Sequence, residues 1–127
     1  MNNEINITIK KGTFLTVTCP VKTLETDYST TPPTETLTTK DLTGYTAKMI
    51  VKKNVTDTDV NKIFELTGTI TTPANGIVVF QASRTNNNQE TGTYYYECVV
   101  YSGSGATDYQ IVQYGDYVIN DNLKQSI

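Results

Sequence analysis

Few residues in this 127-residue chain could carry out chemistry, and two residue types, histidine and tryptophan, are missing altogether. There is no histidine, which removes the commonest general base and metal ligand, and with it Ser-His-Asp triads, His-ligated zinc and haem sites. Asp57-Thr58-Asp59-Val60-Asn61 opens like a calcium loop, with oxygen ligands at alternate positions. The EF-hand pattern next requires Gly and then a distant Glu, but Lys62 and Gly68 stand there, so a solvated turn is expected. A glycosidase needs two carboxylates facing one cleft. Glu65 and Glu97 are the only strand-borne Glu residues expected, each with outward parity, and nothing in the sequence places them together. The expectation is a chain that is not an enzyme and that needs no metal or cofactor.

Two further groups have reactive or adhesive character. Cys19 and Cys98 are the only cysteines. Both have inward parity in their strands, so a disulfide between facing core walls is thinkable, but without a signal peptide two free buried thiols are the expected state. The nine tyrosines divide by parity. Tyr94 and Tyr96 share a face with Cys98 and Val100, whereas Tyr95 and Tyr101 share the opposite face with Val99. An outward aromatic stripe can be a protein interface, a sugar-stacking platform or cross-strand packing, and all three stay open for Tyr95 and Tyr101.

These residues must be positioned by strands. Thr, Val, Ile, Tyr and Phe together supply 57 residues and the good helix formers only 33, a bias toward sheet. Ile5, Ile7 and Ile9 alternate with polar residues, Leu15, Val17, Cys19 and Val21 alternate with Thr16, Thr18 and Pro20, and Tyr45, Ala47, Met49 and Val51 face one way with Thr46, Lys48, Ile50 and Lys52 the other. Pro20 marks a strand edge or end. Ile63 to Thr72 reads as one strand kinked at Gly68. Pro73-Ala74-Asn75-Gly76 reads as a hairpin turn, followed by strands over Ile77–Ala82, Tyr94–Tyr101 and Tyr109–Asn120, the last with a bulge at Gly115. Short strands with no helix between them predict an all-β antiparallel sandwich of seven to nine strands in a single domain spanning residues 1–127.

Two segments fall outside that pattern. Residues 23–40 are polar, contain Pro32-Pro33, and read as a long loop, either disordered or an arm ordered on a neighbouring subunit. The tail 121–127 poses the same choice, its Leu123 and Ile127 having no obvious local core to join. The net charge is −3 with a pI near 4.8, which gives no footprint for nucleic acid or an anionic membrane. Lys48, Lys52 and Lys53 read as a solvated strand face. With neither an apolar membrane span nor a signal peptide, the expected product is soluble and cytosolic. The sequons at Asn6 and Asn54 are then chance matches.

Glu90-Thr91-Gly92-Thr93-Tyr94-Tyr95-Tyr96-Glu97-Cys98 resembles the corner of immunoglobulin-like sandwiches, where a Tyr opens the penultimate strand and its hydroxyl bonds back to the corner backbone. Gly92 and Tyr94 would be that corner. The order of landmarks is also similar to β-sandwich domains of tailed-phage virions, notably the N-terminal domain of the phage baseplate upper protein family. The shared pieces are an opening strand pair, Asp41-Leu42-Thr43-Gly44 before a long strand, Gly76 before an apolar strand, Gly92-Thr93-Tyr94, and Tyr114-Gly115-Asp116-Tyr117-Val118-Ile119 in the last strand. They span roughly residues 5 to 120. Members of that family continue into further domains, whereas this sequence stops at Ile127. The resemblance implies a stand-alone virion component assembled in the host bacterial cytoplasm: a capsid auxiliary (decoration) protein or a neck, tail or baseplate subunit. Its partners would be other virion proteins, in many copies, contacted through Tyr95, Tyr101, Pro32, Pro33, Leu123 and Ile127. A carbohydrate-binding or adhesin module, with Tyr95 and Tyr101 facing a host glycan, is the alternative.

Overall fold

The computed structural model describes residues 4–54, 56–58, 62–103 and 109–121. Among these the chain forms nine strands: β1 (Ile7–Lys10), β2 (Leu15–Pro20), β3 (Lys22–Asp27), β4 (Thr34–Thr39), β5 (Tyr45–Lys52), β6 (Lys62–Thr67), β7 (Ile77–Ala82), β8 (Gly92–Ser102) and β9 (Gln110–Asn120). Among the described residues the chain also forms a 3-10 turn at Pro73–Asn75. Outside β3 and β4 the alternating sequences place one face of the strands inward, and the fold is an all-β sandwich.

One layer is a five-stranded sheet in the order β1-β9-β8-β5-β6, and the other is the pair β2-β7. Met49 and Val51 of β5, Tyr96, Cys98 and Val100 of β8, and Tyr117 and Ile119 of β9 meet Val17 and Cys19 of β2 and Val78 and Phe80 of β7 in one buried cluster. Removing each of these side chains from water contributes about 1.5–3 kcal/mol.

The structure corrects four expectations. The sandwich is not wholly antiparallel, because β1 runs parallel to β9, Ile7 beside Tyr117. Residues 23–40 are not a loop but the β3–β4 hairpin. The bulge in the last strand lies at Val112, where the register slips between Cys98–Gln113 and Val99–Ile111. Gly115 serves a different need: a Cβ there would lie 2.5 Å from the Ile5 carbonyl oxygen, so its bare backbone lets the N-terminal segment pass. Finally, Asn75-Gly76 does not close a hairpin between neighbouring strands. β6 ends at Thr67 and pairs with β5. The chain then crosses to the other layer after Gly68, where Thr69 bridges Val79.

Buried polar groups fix the N-terminal segment, at Ile5 and Thr13, to the body. The Tyr96 hydroxyl donates to the Ile5 carbonyl at 2.6 Å and accepts from Gln113 Nε2 at 2.9 Å. Asn87 is fully buried. Its Nδ2 donates to the Thr13 carbonyl at 2.7 Å, and its Oδ1 accepts from the Tyr117 hydroxyl at 2.5 Å. The Tyr117 ring stands edge-on to Phe64 and Tyr96, with centroids 6.0 and 6.1 Å away. Each bonded group is satisfied, so the network costs little while intact and much when broken.

Two outcomes follow from that network. Asn87→Ala strands the Tyr117 hydroxyl and the Thr13 carbonyl, and should lower unfolding free energy by about 2–4 kcal/mol in urea titrations. Burial, opposed by the bond to Asn87, pushes the Tyr117 phenol up to about 12, and burial raises that of Tyr96 as well. Unfolded tyrosine ionises near 10. A raised folded value means that the contribution is complete below about pH 10 and is lost as pH climbs through about 12. Urea titrations across that window should show stability falling, less steeply in Tyr117→Phe; an unchanged slope in that variant would contradict the assignment.

Candidate functional site

The chain leaves the sandwich at Val21. This side chain is buried. Its N–H donates to the Gly76 carbonyl at 2.7 Å, and its own carbonyl accepts from Lys40 N–H at 3.1 Å. Gly76 is required at this junction. Its φ is +64°, and a Cβ would lie 2.6 Å from the Lys40 carbonyl oxygen and 2.7 Å from Thr39 Cγ2. Beside the root lies an open concavity of about 370 Å³, bordered by Lys22, Thr39 and Ala74.

Beyond Val21, β3 and β4 pair antiparallel over six positions, from Lys22–Thr39 to Asp27–Thr34. At the rise of a strand, they form a ribbon roughly 20 Å long. Thr38 is half-buried and every other residue of the two strands is exposed, so the ribbon contributes little to the core. Leu24 and Leu37 sit directly opposite one another and are 49% and 52% exposed. At the tip, Asp27 Oδ1 accepts from Ser29 N–H at 2.9 Å and Ser29 Oγ at 2.6 Å, bonds that hold its carboxyl below the usual range. Thr30 Oγ1 reaches the Pro32 carbonyl at 2.9 Å, across a cis Thr31–Pro32 peptide. Pro32 and Pro33 are exposed, and Tyr28 is 79% exposed.

The outer face of the five-stranded sheet is a second candidate. Tyr95 and Tyr101 lie there, both half-buried rather than prominent. Desolvation, then Glu97 and Tyr114, raise the Tyr95 phenol, and Tyr101 neighbours Lys48 closely enough to raise the latter's pKa after Glu65 has done so. Glu65 and Glu97 both stand opposite Ile50 on this face, a proximity that the sequence did not disclose. Each is matched with lysine: Glu65 with Lys48 at 3.0 Å and Lys62 at 3.7 Å, Glu97 with Lys52 at 4.0 Å. Partly exposed pairs of this kind contribute about 0–1 kcal/mol each. They also neutralise the two carboxylates, leaving a face of matched charge between half-buried rings.

The remaining sequence-derived residues are structural. Gly92 opens β8, and Tyr94 is buried with its hydroxyl donating to the Glu90 carbonyl at 2.7 Å. Lys53 Nζ caps the same ring, 4.7 Å from its centroid. Cys19 and Cys98 are free, buried and in contact. Hydrogen bonding to Cys19, then desolvation, raises the Cys98 thiol far above its ordinary value. Asp57 accepts from Asn54 N–H at 3.1 Å in a local turn, and Asp59 and Asn61 lie outside the described residues. So do Leu123 and Ile127. Among the described residues no cluster of three or more Cys, Asp or Glu could hold a metal, and no helix is long and apolar enough to cross a membrane.

Sequence reasoning missed Val21, Leu24, Tyr28 and Leu37 as site residues. The available sign was a pair of threonine-rich stretches, each with a single leucine, flanking Pro32-Pro33, since Thr favours strands and Pro favours turns. No protein-family model and no curated protein matches the chain.

Because the ribbon stands off the core, replacing residues 23–38 with a two-residue Asn-Gly turn should leave unfolding free energy within about 1 kcal/mol of the parent in urea titrations, loop closure being cheap. A loss of several kcal/mol would mean that the ribbon is structural.

Proposed function

We propose that this chain is a non-enzymatic structural protein of a bacteriophage virion, a capsid auxiliary or decoration protein or a neck, tail or baseplate subunit. It docks onto other virion proteins through the β3–β4 ribbon. The observation that carries this reading is the ribbon: an ordered hairpin with exposed Leu24, Leu37 and Tyr28 that supplies little to its own domain. A lone two-stranded hairpin is marginal in water. Its apolar side chains gain most when a partner covers them, and many weak copies in a particle give firm attachment. The order of sequence landmarks shared with tailed-phage virion sandwiches supports the setting, and the matched charges on the outer face suit a scaffold better than an acid–base site. Assembly takes place in the host bacterial cytoplasm, without cofactor, nucleic acid or membrane.

The glycan-binding alternative draws less support. Tyr95 and Tyr101 are half-buried and occupied by neighbours, which leaves little free ring face for a sugar.

The test uses a phage whose genome encodes the chain. Particles should contain it, and excision of residues 23–38 should remove it from purified particles while the folded protein still accumulates in lysate, as read by mass spectrometry. Absence of the parent chain from particles, or full incorporation of the excised form, would overturn the reading. A glycan array showing binding that is lost in Tyr101→Ala would replace it with the adhesin reading.

A further inference from the structure

The two hydrogen bonds of Val21 reveal which edge of the ribbon is open. In a strand, the N–H and C=O of one residue point to the same side. Val21 gives its N–H to Gly76 and receives Lys40 on its carbonyl, so β7 and β4 lie on the same side of a single run from Leu15 to Asp27. Among the described residues its other side has no strand in the sheet order. Alternation then turns the amides and carbonyls of Thr23, Glu25 and Asp27 toward β4, and those of Lys22, Leu24 and Thr26 outward. The neighbouring pair obeys the same rule: Val79, opposite Thr18, turns its N–H and C=O away from β2 and exchanges both with Thr69. Pro20 has no N–H, which blunts the open edge beside the sandwich. The β3 half of the edge carries no such block, and an open edge of this kind is a template for another strand.

We propose that the strand it takes is β3 of a second copy of this chain, antiparallel about a two-fold axis at Leu24. The proposal rests on reading the ribbon as a docking element but not on the virion setting. An antiparallel joint with Leu24 opposite Leu24 also sets Lys22 opposite Thr26, all three with outward-facing amides, and so makes unbroken ladder bonds. It lines up Leu37, Leu24 and their two counterparts in one row on one face of a four-stranded sheet, because Leu24 and Leu37 are already opposite each other. The charges suit this register. Lys22 lies at the root end of that face and Glu35, opposite Thr26, at the tip end. Antiparallel joining therefore places Lys22 in the same row as Glu35 of the second copy, with the small Thr26 between. A shift toward the root sets Leu24 against Lys22, and a further shift sets Lys22 against Lys22, which like charges oppose. The two Glu25 side chains, diagonal across the joint on the other face, are each held to their own ribbon by Thr38 Oγ1 at 2.8 Å. The outer edge of β4 is less open, since Thr39 at its base abuts Gly76 and shares a concavity with Ala74 and Asn75. The interface is isologous. It is also small, so dimerisation is weak in dilute solution and grows with local concentration.

Sedimentation velocity of the purified full chain, up to about 1 mM because an interface of this size is weak, tests the proposal. The parent should show a concentration-dependent monomer–dimer equilibrium. Leu24→Lys and Leu24→Glu should each weaken it at least about tenfold, through like charges meeting on the axis, and an equimolar mixture of the two should restore it. Thr26→Pro removes an outward N–H that the ribbon itself does not use and should weaken the dimer with the melting temperature held. A parent that stays monomeric, a dimer indifferent to the Leu24 pair, or a charge-swap rescue at Leu37 instead of Leu24 would each overturn the proposal. If the parent is monomeric while particle incorporation still depends on residues 23–38, docking stands with another protein as its partner and only the second-copy assignment fails.

Discussion

Val21 is the constraint on which the architecture turns. Its side chain is buried in the core while its backbone joins two different strand pairs, β7 through Gly76 and β4 through Lys40. These contacts tie the root of the ribbon to the core, and β3 continues the run of chain that begins in β2. The ribbon is thus an extension of one core strand, anchored at its base. Gly76 makes this possible, because its φ is positive and any side chain there would collide with the Lys40 carbonyl and with Thr39.

The body and the ribbon follow opposite physical rules. Inside the sandwich, polar groups are few and each is matched: Tyr96 with Ile5 and Gln113, Asn87 with Thr13 and Tyr117. These bonds tie the segments on either side of β1 to β8 and β9, where a parallel strand of only four residues would otherwise have little to fix it. In the ribbon the side chains are nearly all exposed, and order comes from threonine-rich cross-strand pairing and from the Asp27–Ser29 turn. A domain that builds a complete core without this segment and still orders it has a part available for an external partner, and this connects the fold to the proposed docking role.

Much of the body was legible because burial on one face leaves a period of two in sequence. Leu15, Val17 and Cys19, or Tyr94, Tyr96 and Cys98, announce both a strand and its inward side. The ribbon was not legible by that rule, because neither of its faces is buried and no alternation marks it; Thr23 to Lys40 looks like loop when apolar periodicity is the guide. The parallel pairing of β1 with β9 depends on contacts across most of the chain, which local pattern does not encode. Gly115 drew attention as a bulge, yet its bare backbone serves the passing N-terminal segment, and the bulge falls at Val112, whose residue type gives no hint of it. The outer face was half legible: parity assigned Tyr95 and Tyr101 to it, but only the strand register brings Glu65 and Glu97 to the same Ile50.

The claim on which the functional reading depends is that the ribbon presents an open, ordered β3 edge. Amide hydrogen exchange, followed residue by residue by NMR at low and high protein concentration, measures that edge directly. In dilute solution the amides of Thr23 and Glu25, bonded to β4, should be protected, while those of Lys22, Leu24 and Thr26 exchange as free amides. At high concentration, protection should appear at Lys22, Leu24 and Thr26. Uniform fast exchange across residues 22–39 at both concentrations would contradict the ordered ribbon, and protection of Lys22, Leu24 and Thr26 in the dilute monomer would contradict the open edge.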